Sequence, residues 1–238
     1  MNSKRLPGKV MIDLEDKPVV WHIYNRLHNC KSLDNVIIST GDKKHNLHII
    51  NFARKNKIPI YVGSENDLIS RLYNTAKNFE ADALVRITSD CPFVDPQLVD
   101  KLVNRFKRSK KYDIITNCQI HTFPHGLEVE VYSQKILKHL WKKIKDKKLR
   151  EWFPLYVQQN SKQFNILNIK NKIDQSKIRL TLDYPKDLVL VKKIYKELYD
   201  EKKVFLLKDI LNFLKKNPKL LSINSKYIKH RNVDAPVV

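Results

Sequence analysis

The chain has 238 residues, 42% of them hydrophobic, enough to bury one substantial core in a single domain spanning 1–238. Lys and Arg number 46 against 25 Asp and Glu, and the formal net charge of +21 favours polyanionic partners such as nucleotides, nucleic acids or anionic lipid. No apolar run has the length of a membrane span and no apolar stretch follows the basic start, so the expectation is a cytoplasmic protein without a membrane partner.

The first ten residues, MNSKRLPGKV, form a basic loop in which Arg5 and Lys9 stand four apart around a Pro7-Gly8 turn. Such a loop can bring a forked guanidinium, a point charge and backbone N–H groups to an anion. It lacks the spacing of a Walker loop. Helical periods follow at 18–27, 45–56, 67–79 and 96–106, alternating with the β-branched runs NVIIST (35–40), IPIYV (58–62), ALVRIT (83–88) and YDIIT (112–116). In the 96–106 helix Leu98, Val99, Leu102, Val103 and Phe106 share one face, Asp95 is the N-cap and Pro96 takes the first helical position. This alternation predicts an α/β layer structure with helices on both faces of a parallel sheet. The second half is less regular, with strands expected at 127–132, 164–169 and 178–182 and helices at 134–144, 149–158, 185–199 and 207–215.

In open α/β sheets ligands collect beyond the carboxyl ends of the strands. Asp90 and Asp183 each stand there, in SDCP and LDYP, between a strand and a helix opened by proline. Either alone reads as a cap or turn former. Two carboxylates at one sheet edge can hold Mg²⁺, a hard ion that takes a few oxygen ligands and completes its shell with water and substrate phosphates. Cys30, Cys91 and Cys118 are odd in number, lack a C-x-x-C pair and read as buried or inert thiols. His121 and His125 are four apart, but Pro124 and Gly126 argue against a zinc-binding helix, and no histidine lies in either metal motif. The runs KRSKK (107–111) and KKIKDKK (142–148) lack interleaved aromatics and read as solvated helix ends, so no specific nucleic acid is expected.

Five segments, NSKRLPGKV, GSENDLISRLY, RITSDCPFVDPQLVD, TFPHGLEVEVYS and RLTLDYPKDLVLV, together resemble the cytidylyltransferase-like proteins of spore-coat polysaccharide synthesis, relatives of the acylneuraminate and Kdo cytidylyltransferases. The resemblance implies a Rossmann-like nucleotide-diphospho-sugar transferase fold, a mixed, mostly parallel sheet with helices on both faces, and transfer of CMP from CTP to an acidic sugar. It also implies a homodimer, with a dimerisation or acceptor excursion near 118–133. By position, Arg5 and Lys9 would hold the triphosphate, Asp90 and Asp183 would bind Mg²⁺, and Ser3 would add a hydroxyl. Asp67 and Arg71 would stand near the nucleotide or sugar pocket, with a helix-start role for Asp67 as the alternative. Pro124, Gly126, Glu128 and Glu130 would shape the acceptor pocket or the dimer arm. Relatives begin with an apolar strand and an Arg ahead of the position that matches Met1, so the first strand is expected to be missing. Ser89 replaces a usual Gly, His45-Asn46 replaces an acidic position, and REWFPLY (150–156) lacks the His and Thr of the related pattern. The competing readings are a glycosyltransferase on the same fold, which lacks its D-x-D signature here, an inactive truncated relative, and a basic nucleic-acid-binding protein.

Overall fold

The computed structural model describes residues 5–109 and 111–228. After the basic loop, a short hairpin pairs β1 (Asp13–Leu14) with β2 (Lys17–Pro18). Its two loop residues, Glu15 and Asp16, both have positive φ, 43° and 61°, the backbone that a tight two-residue hairpin requires. Without an Asn-Gly or Asp-Gly pair, that turn is not legible in the sequence. Helix α1 (Val19–His28) leads to β3 (Ile38–Thr40), α2 (Lys43–Lys55), β4 (Ile60–Val62), α3 (Leu68–Asn78), β5 (Ala83–Arg86), α4 (Pro96–Arg108) and β6 (Ile114–Thr116). The second half contributes β7 (Glu130–Ser133), α5 (Gln134–Lys143), α6 (Lys147–Glu151), α7 (Phe153–Gln159), β8 (Ile166–Asn168), α8 (Pro185–Leu198) and α9 (Leu207–Lys216).

The sheet is mixed. β3 and β4 pair in parallel, and four further strands run in the order β5-β7-β6-β8. β7 lies antiparallel between β5 and β6, while β6 and β8 are parallel. Among the described residues no ladder joins the two sheets, and a cavity of about 270 Å³, lined by Ile38, Thr40, Ile87 and Ser89 among others, lies between them.

Strand periodicity sorts the core. Ile115 and Val131 face a cluster with α4, α8 and α9, whereas their neighbours Ile114 and Tyr132 face a second cluster with α3, α5 and α7. Helices therefore cover both faces, as the pattern predicts. Capping fixes where they start. Asp95 accepts from the backbone N–H of Gln97 and Leu98 at 2.8 and 3.1 Å, and its other oxygen accepts from Leu207 N at 2.6 Å, which ties α9 to the start of α4.

Two expectations are corrected. The helix expected over 149–158 is two helices broken at Trp152, because Pro154 has no N–H and its ring would collide with the carbonyl one turn back. Among the described residues the strand expected at 178–182 has a single bridge, His125 to Arg179, because the 124–127 loop and not a long strand runs beside it. Gly126 permits that approach: it has φ +103°, and a Cβ there would stand 2.5 Å from Thr181 N and 2.7 Å from the Leu180 carbonyl carbon. Gly126→Ala should lower the unfolding free energy by about 2–4 kcal/mol in a denaturant titration, combining backbone strain and overpacking. Gly8→Ala, also at positive φ but with no atom within 4 Å of its Cβ, should cost about 1 kcal/mol.

Candidate active site

Residues 5–9 of the basic loop bring Arg5 and Lys9 to Asp90 and Asp183, beyond the carboxyl ends of the strands. Gly8, left-handed at φ 68°, opens a single turn of 3-10 helix, Lys9–Met11, that carries the Lys9 side chain inward. Its ammonium lies 2.9 Å from Asp90 Oδ2 and 2.7 Å from Asp183 Oδ1, and Arg5 Nη2 lies 3.3 Å from the same Asp183 oxygen. Three remote stretches of chain thus place four charges around one point. The two acidic loops are also joined by backbone, since the Asp90 carbonyl accepts from Leu182 N at 2.9 Å and from Thr181 Oγ1 at 3.1 Å.

Burial alone would push the Asp90 carboxyl up, but the Lys9 charge and the hydroxyl of Thr88, donated at 2.5 Å, hold it well below the usual carboxylate range. Burial likewise works against the Lys9 ammonium, and Asp90 and Asp183 overcome it, leaving its pKa raised. Lys9 therefore stays charged and Asp90 ionised across neutral pH.

Behind Asp183 stands a buried layer of polar groups. Arg179, 2% exposed, donates to both oxygens of Asp187 at 2.9 and 2.8 Å and to Asp183 Oδ2 at 3.3 Å. Asp187, 0% exposed, also accepts from the backbone N–H of Asp183 and Tyr184. Burial opposes ionisation of Asp187, and its hydrogen bonds and the charge of Arg179 prevail, keeping its pKa low. Arg179 Nη1 also contacts His125 Nδ1 at 2.9 Å. A guanidinium can only donate, so His125 Nδ1 is the acceptor and that nitrogen is unavailable as a base.

A cavity of about 400 Å³ runs from Arg5, Asp90 and Asp183 to Arg86, Glu130 and Trp152. Arg86 is ion-paired with Glu130, whose other oxygen accepts from Tyr132 Oη at 2.8 Å. His121, His125 and Glu128 line it as well, the last accepting from Gly126 N at 2.7 Å. Arg71 lines it too: its Nη1 donates to Ser64 O at 2.6 Å, while its Nε is buried with no partner among the described residues. Asp67 stands elsewhere. One of its oxygens caps α3 through Ser70 N at 2.9 Å, the other accepts from Arg150 Nε at 2.7 Å, and it is not part of the cavity wall. Ser3 lies outside the described residues.

Sequence reasoning passed over Arg179, Asp187, Arg86 and Thr88. The available signal was spacing: Arg179, Asp183 and Asp187 recur every four residues through the strand-to-helix turn. The three thiols are free, and burial raises the pKa of each, for Cys30 to about 12. A second group of metal-ligating side chains, Asp42, His45 and Glu65, has ligand atoms within 4.8 Å of one another. There Asp42 already accepts from His45 N and caps α2, and a helix N-terminus disfavours a cation.

Comparison with known proteins identifies the family. The family model described as Cytidylyltransferase matches residues 1–217. The chain is 32% identical to the uncharacterized protein MJ1063 of Methanocaldococcus jannaschii, covering 94% of this chain and 90% of that protein. It is 25% identical to the spore coat polysaccharide biosynthesis protein SpsF of Bacillus subtilis, covering 92% of each. A match of 28% over 121 residues, about half of each chain, is to the 3-deoxy-manno-octulosonate cytidylyltransferase of Oleidesulfovibrio alaskensis. Among solved structures, a cytidylyltransferase from Leptospira borgpetersenii superposes with a TM-score of 0.88 at 31% identity, over 93% of this chain and 92% of that one. With the motifs, the fold and the match over nearly the whole chain in agreement, this protein belongs to the cytidylyltransferase family and is a CTP-dependent nucleotidyltransferase.

Proposed function

We propose that the protein transfers CMP from CTP to a hydroxyl of an acidic sugar of the 3-deoxy-2-keto or nonulosonic type, releasing pyrophosphate, in the cytoplasmic supply of surface polysaccharide. The observation that carries this reading is the meeting of Asp90 and Asp183 on one cation beside Arg5, at the mouth of the 400 Å³ cavity. The names of the spore-coat and octulosonate relatives support the class of acceptor. Ile120 and Ile173, 50% and 70% exposed, lie on neighbouring segments linked by the Asn171 N to Thr122 Oγ1 hydrogen bond, and support a homodimer formed through the 118–133 excursion.

The donor set fits Mg²⁺. Two hard carboxylate oxygens, each on its own loop, converge within 2.9 Å of the Lys9 ammonium, which supports a cation position between them. Asp90 and Asp183 would hold the ion, which when bound neutralises phosphate charge. The remaining work falls to the chain. Arg5 forks onto triphosphate oxygens, and Lys9 supplies a point charge that offsets the negative charge growing on the leaving pyrophosphate. The sugar hydroxyl oxygen attacks the α-phosphorus in line and gives up its proton to solvent water, and the bond from that phosphorus to the pyrophosphate oxygen breaks, so that the electron pair leaves with pyrophosphate. His125 does not take the proton at Nδ1, which Arg179 occupies.

Pyrophosphate release, measured with CTP, Mg²⁺ and a panel of Kdo-like and nonulosonic acids, should occur with at least one acid. It should fall by about 100-fold or more in Asp90→Asn. Equal release from ATP, or an undiminished rate in Asp90→Asn, would contradict the proposal.

The same charges set a pH dependence in the nucleotide-free protein. Because the Asp90 pKa is lowered by folding, its contribution to stability is full above the ordinary carboxylate value of about 3.9 and fades as pH falls through the folded value. Because the Lys9 pKa is raised, its share is full below about 10.4 and fades as pH rises through the folded value. Lys9→Met should therefore be less stable than the parent by about 1–3 kcal/mol near neutrality and converge with it in strong acid. A gap that persists unchanged below pH ~2 would show that the loss is one of packing.

A further inference from the structure

The family match ends at residue 217, yet the segment beyond it reaches the layer that supports Asp183. Asn224, 2% exposed, donates from one amide nitrogen to Asp187 Oδ1 at 2.8 Å and to the Arg179 carbonyl at 3.1 Å. Three residues on, the Tyr227 carbonyl accepts from Arg179 Nη1 at 3.3 Å. That bond completes the guanidinium: Nε and Nη2 serve Asp187 and Asp183, and Nη1 serves His125 and Tyr227, so its five N–H groups are all assigned. The Tyr227 ring stacks on Tyr184, the residue after Asp183, at a centroid distance of 4.0 Å and an interplanar angle of 1°. The guanidinium of Arg179 lies 5.5 Å from the Tyr184 ring and 6.0 Å from the Tyr227 ring, and that of Arg5 lies 5.2 Å from Tyr184, all within cation–π reach.

We infer that residues 224–227 are a clamp that fixes the Asp183–Tyr184 turn, and that Asn224 and Tyr227 are positioning residues for the Asp183 carboxylate. Among the described residues the stretch leading to Asp183 makes one bridge, His125 to Arg179, and one further backbone bond, Leu182 N to the Asp90 carbonyl, with no continuous ladder beside it. Its backbone N–H and that of Tyr184 both depend on Asp187. Asp187 in turn is oriented by Arg179 and Asn224. Without the clamp the turn keeps Arg179 and Asp187 but loses one donor to the hub and the ring that packs on Tyr184. The carboxylate then samples orientations that do not meet Asp90. This inference rests on the proposed role of Asp183 in holding Mg²⁺ near CTP.

The test uses the full chain with Tyr227→Leu, Tyr227→Phe and Asn224→Ala, and reads hydrogen exchange of the Asp183 and Tyr184 amides alongside Mn²⁺ binding by electron paramagnetic resonance in the presence of CTP. Tyr227→Leu and Asn224→Ala should speed exchange at those two amides by about tenfold or more and weaken Mn²⁺ binding by about 10- to 100-fold, the range for loss of groups that orient metal ligands. Exchange in the middle of α8 should stay unchanged. Tyr227→Phe keeps both the ring and the carbonyl and should restore both readouts. Unaltered amide exchange in Tyr227→Leu, or faster exchange with unaltered Mn²⁺ affinity, overturns the inference. If Tyr227→Leu binds Mn²⁺ normally while Asp90→Asn does not, the clamp fails and the site assignment stands. If the parent binds no Mn²⁺ with CTP, the site assignment itself fails, and the clamp's role for Asp183 falls with it.

Discussion

One ammonium between two carboxylates organises this molecule. Lys9, Asp90 and Asp183 are separated by most of the chain, and each would be costly to desolvate alone. Brought together, they offset one another, and the loop that begins the described chain is pinned across the carboxyl edge of the sheet. The arrangement holds the Asp90 carboxyl ionised and the Lys9 ammonium charged where phosphate and metal chemistry would take place. Hydrogen bonds from Thr88 to Asp90 and from Arg179 to Asp183 fix each carboxylate from behind, so the ion group is oriented as well as neutralised.

The fold serves that meeting. β7 lies antiparallel between β5 and β6, which brings Glu130 opposite Arg86 and sets an ion pair in the wall of the cavity. Gly126 lets the following loop pass against Leu180, placing Glu128 and His125 beside the same space. At the far end Trp152, at the break before α7, and Leu155 of α7 line the wall, giving the cavity one charged end and one apolar flank. A triphosphate suits the first, and an acceptor with both polar and apolar faces suits the second.

Much of this was legible in the sequence because local chemistry wrote it there. The Asp95-Pro96 start of α4, the apolar stripe behind it and the proline-opened turn after Asp183 each carry a mechanism that does not depend on distant residues. Asp90 and Asp183 stood out because two acids ended two strands in the same way. Strand direction was not legible, since an alternating run such as LEVEVY reads the same parallel or antiparallel. Arg179 was hidden because a single cation inside IRLTL looks like an exposed position, whereas the fold buries it among Asp187, Asp183 and His125. Asp67 left two roles open, a place near the nucleotide or sugar pocket and a helix start. In the structure one of its oxygens caps α3 and the other accepts from Arg150.

The central claim is that Asp90 and Asp183 share a metal while Lys9 turns to the nucleotide. Anomalous scattering from a crystal grown with CTP and Mn²⁺ tests it most directly. The account predicts a peak between Asp90 Oδ2 and Asp183 Oδ1, with the Lys9 ammonium moved onto phosphate oxygens. A peak at Asp42, His45 and Glu65 instead, with Lys9 still bridging the two aspartates, would contradict it.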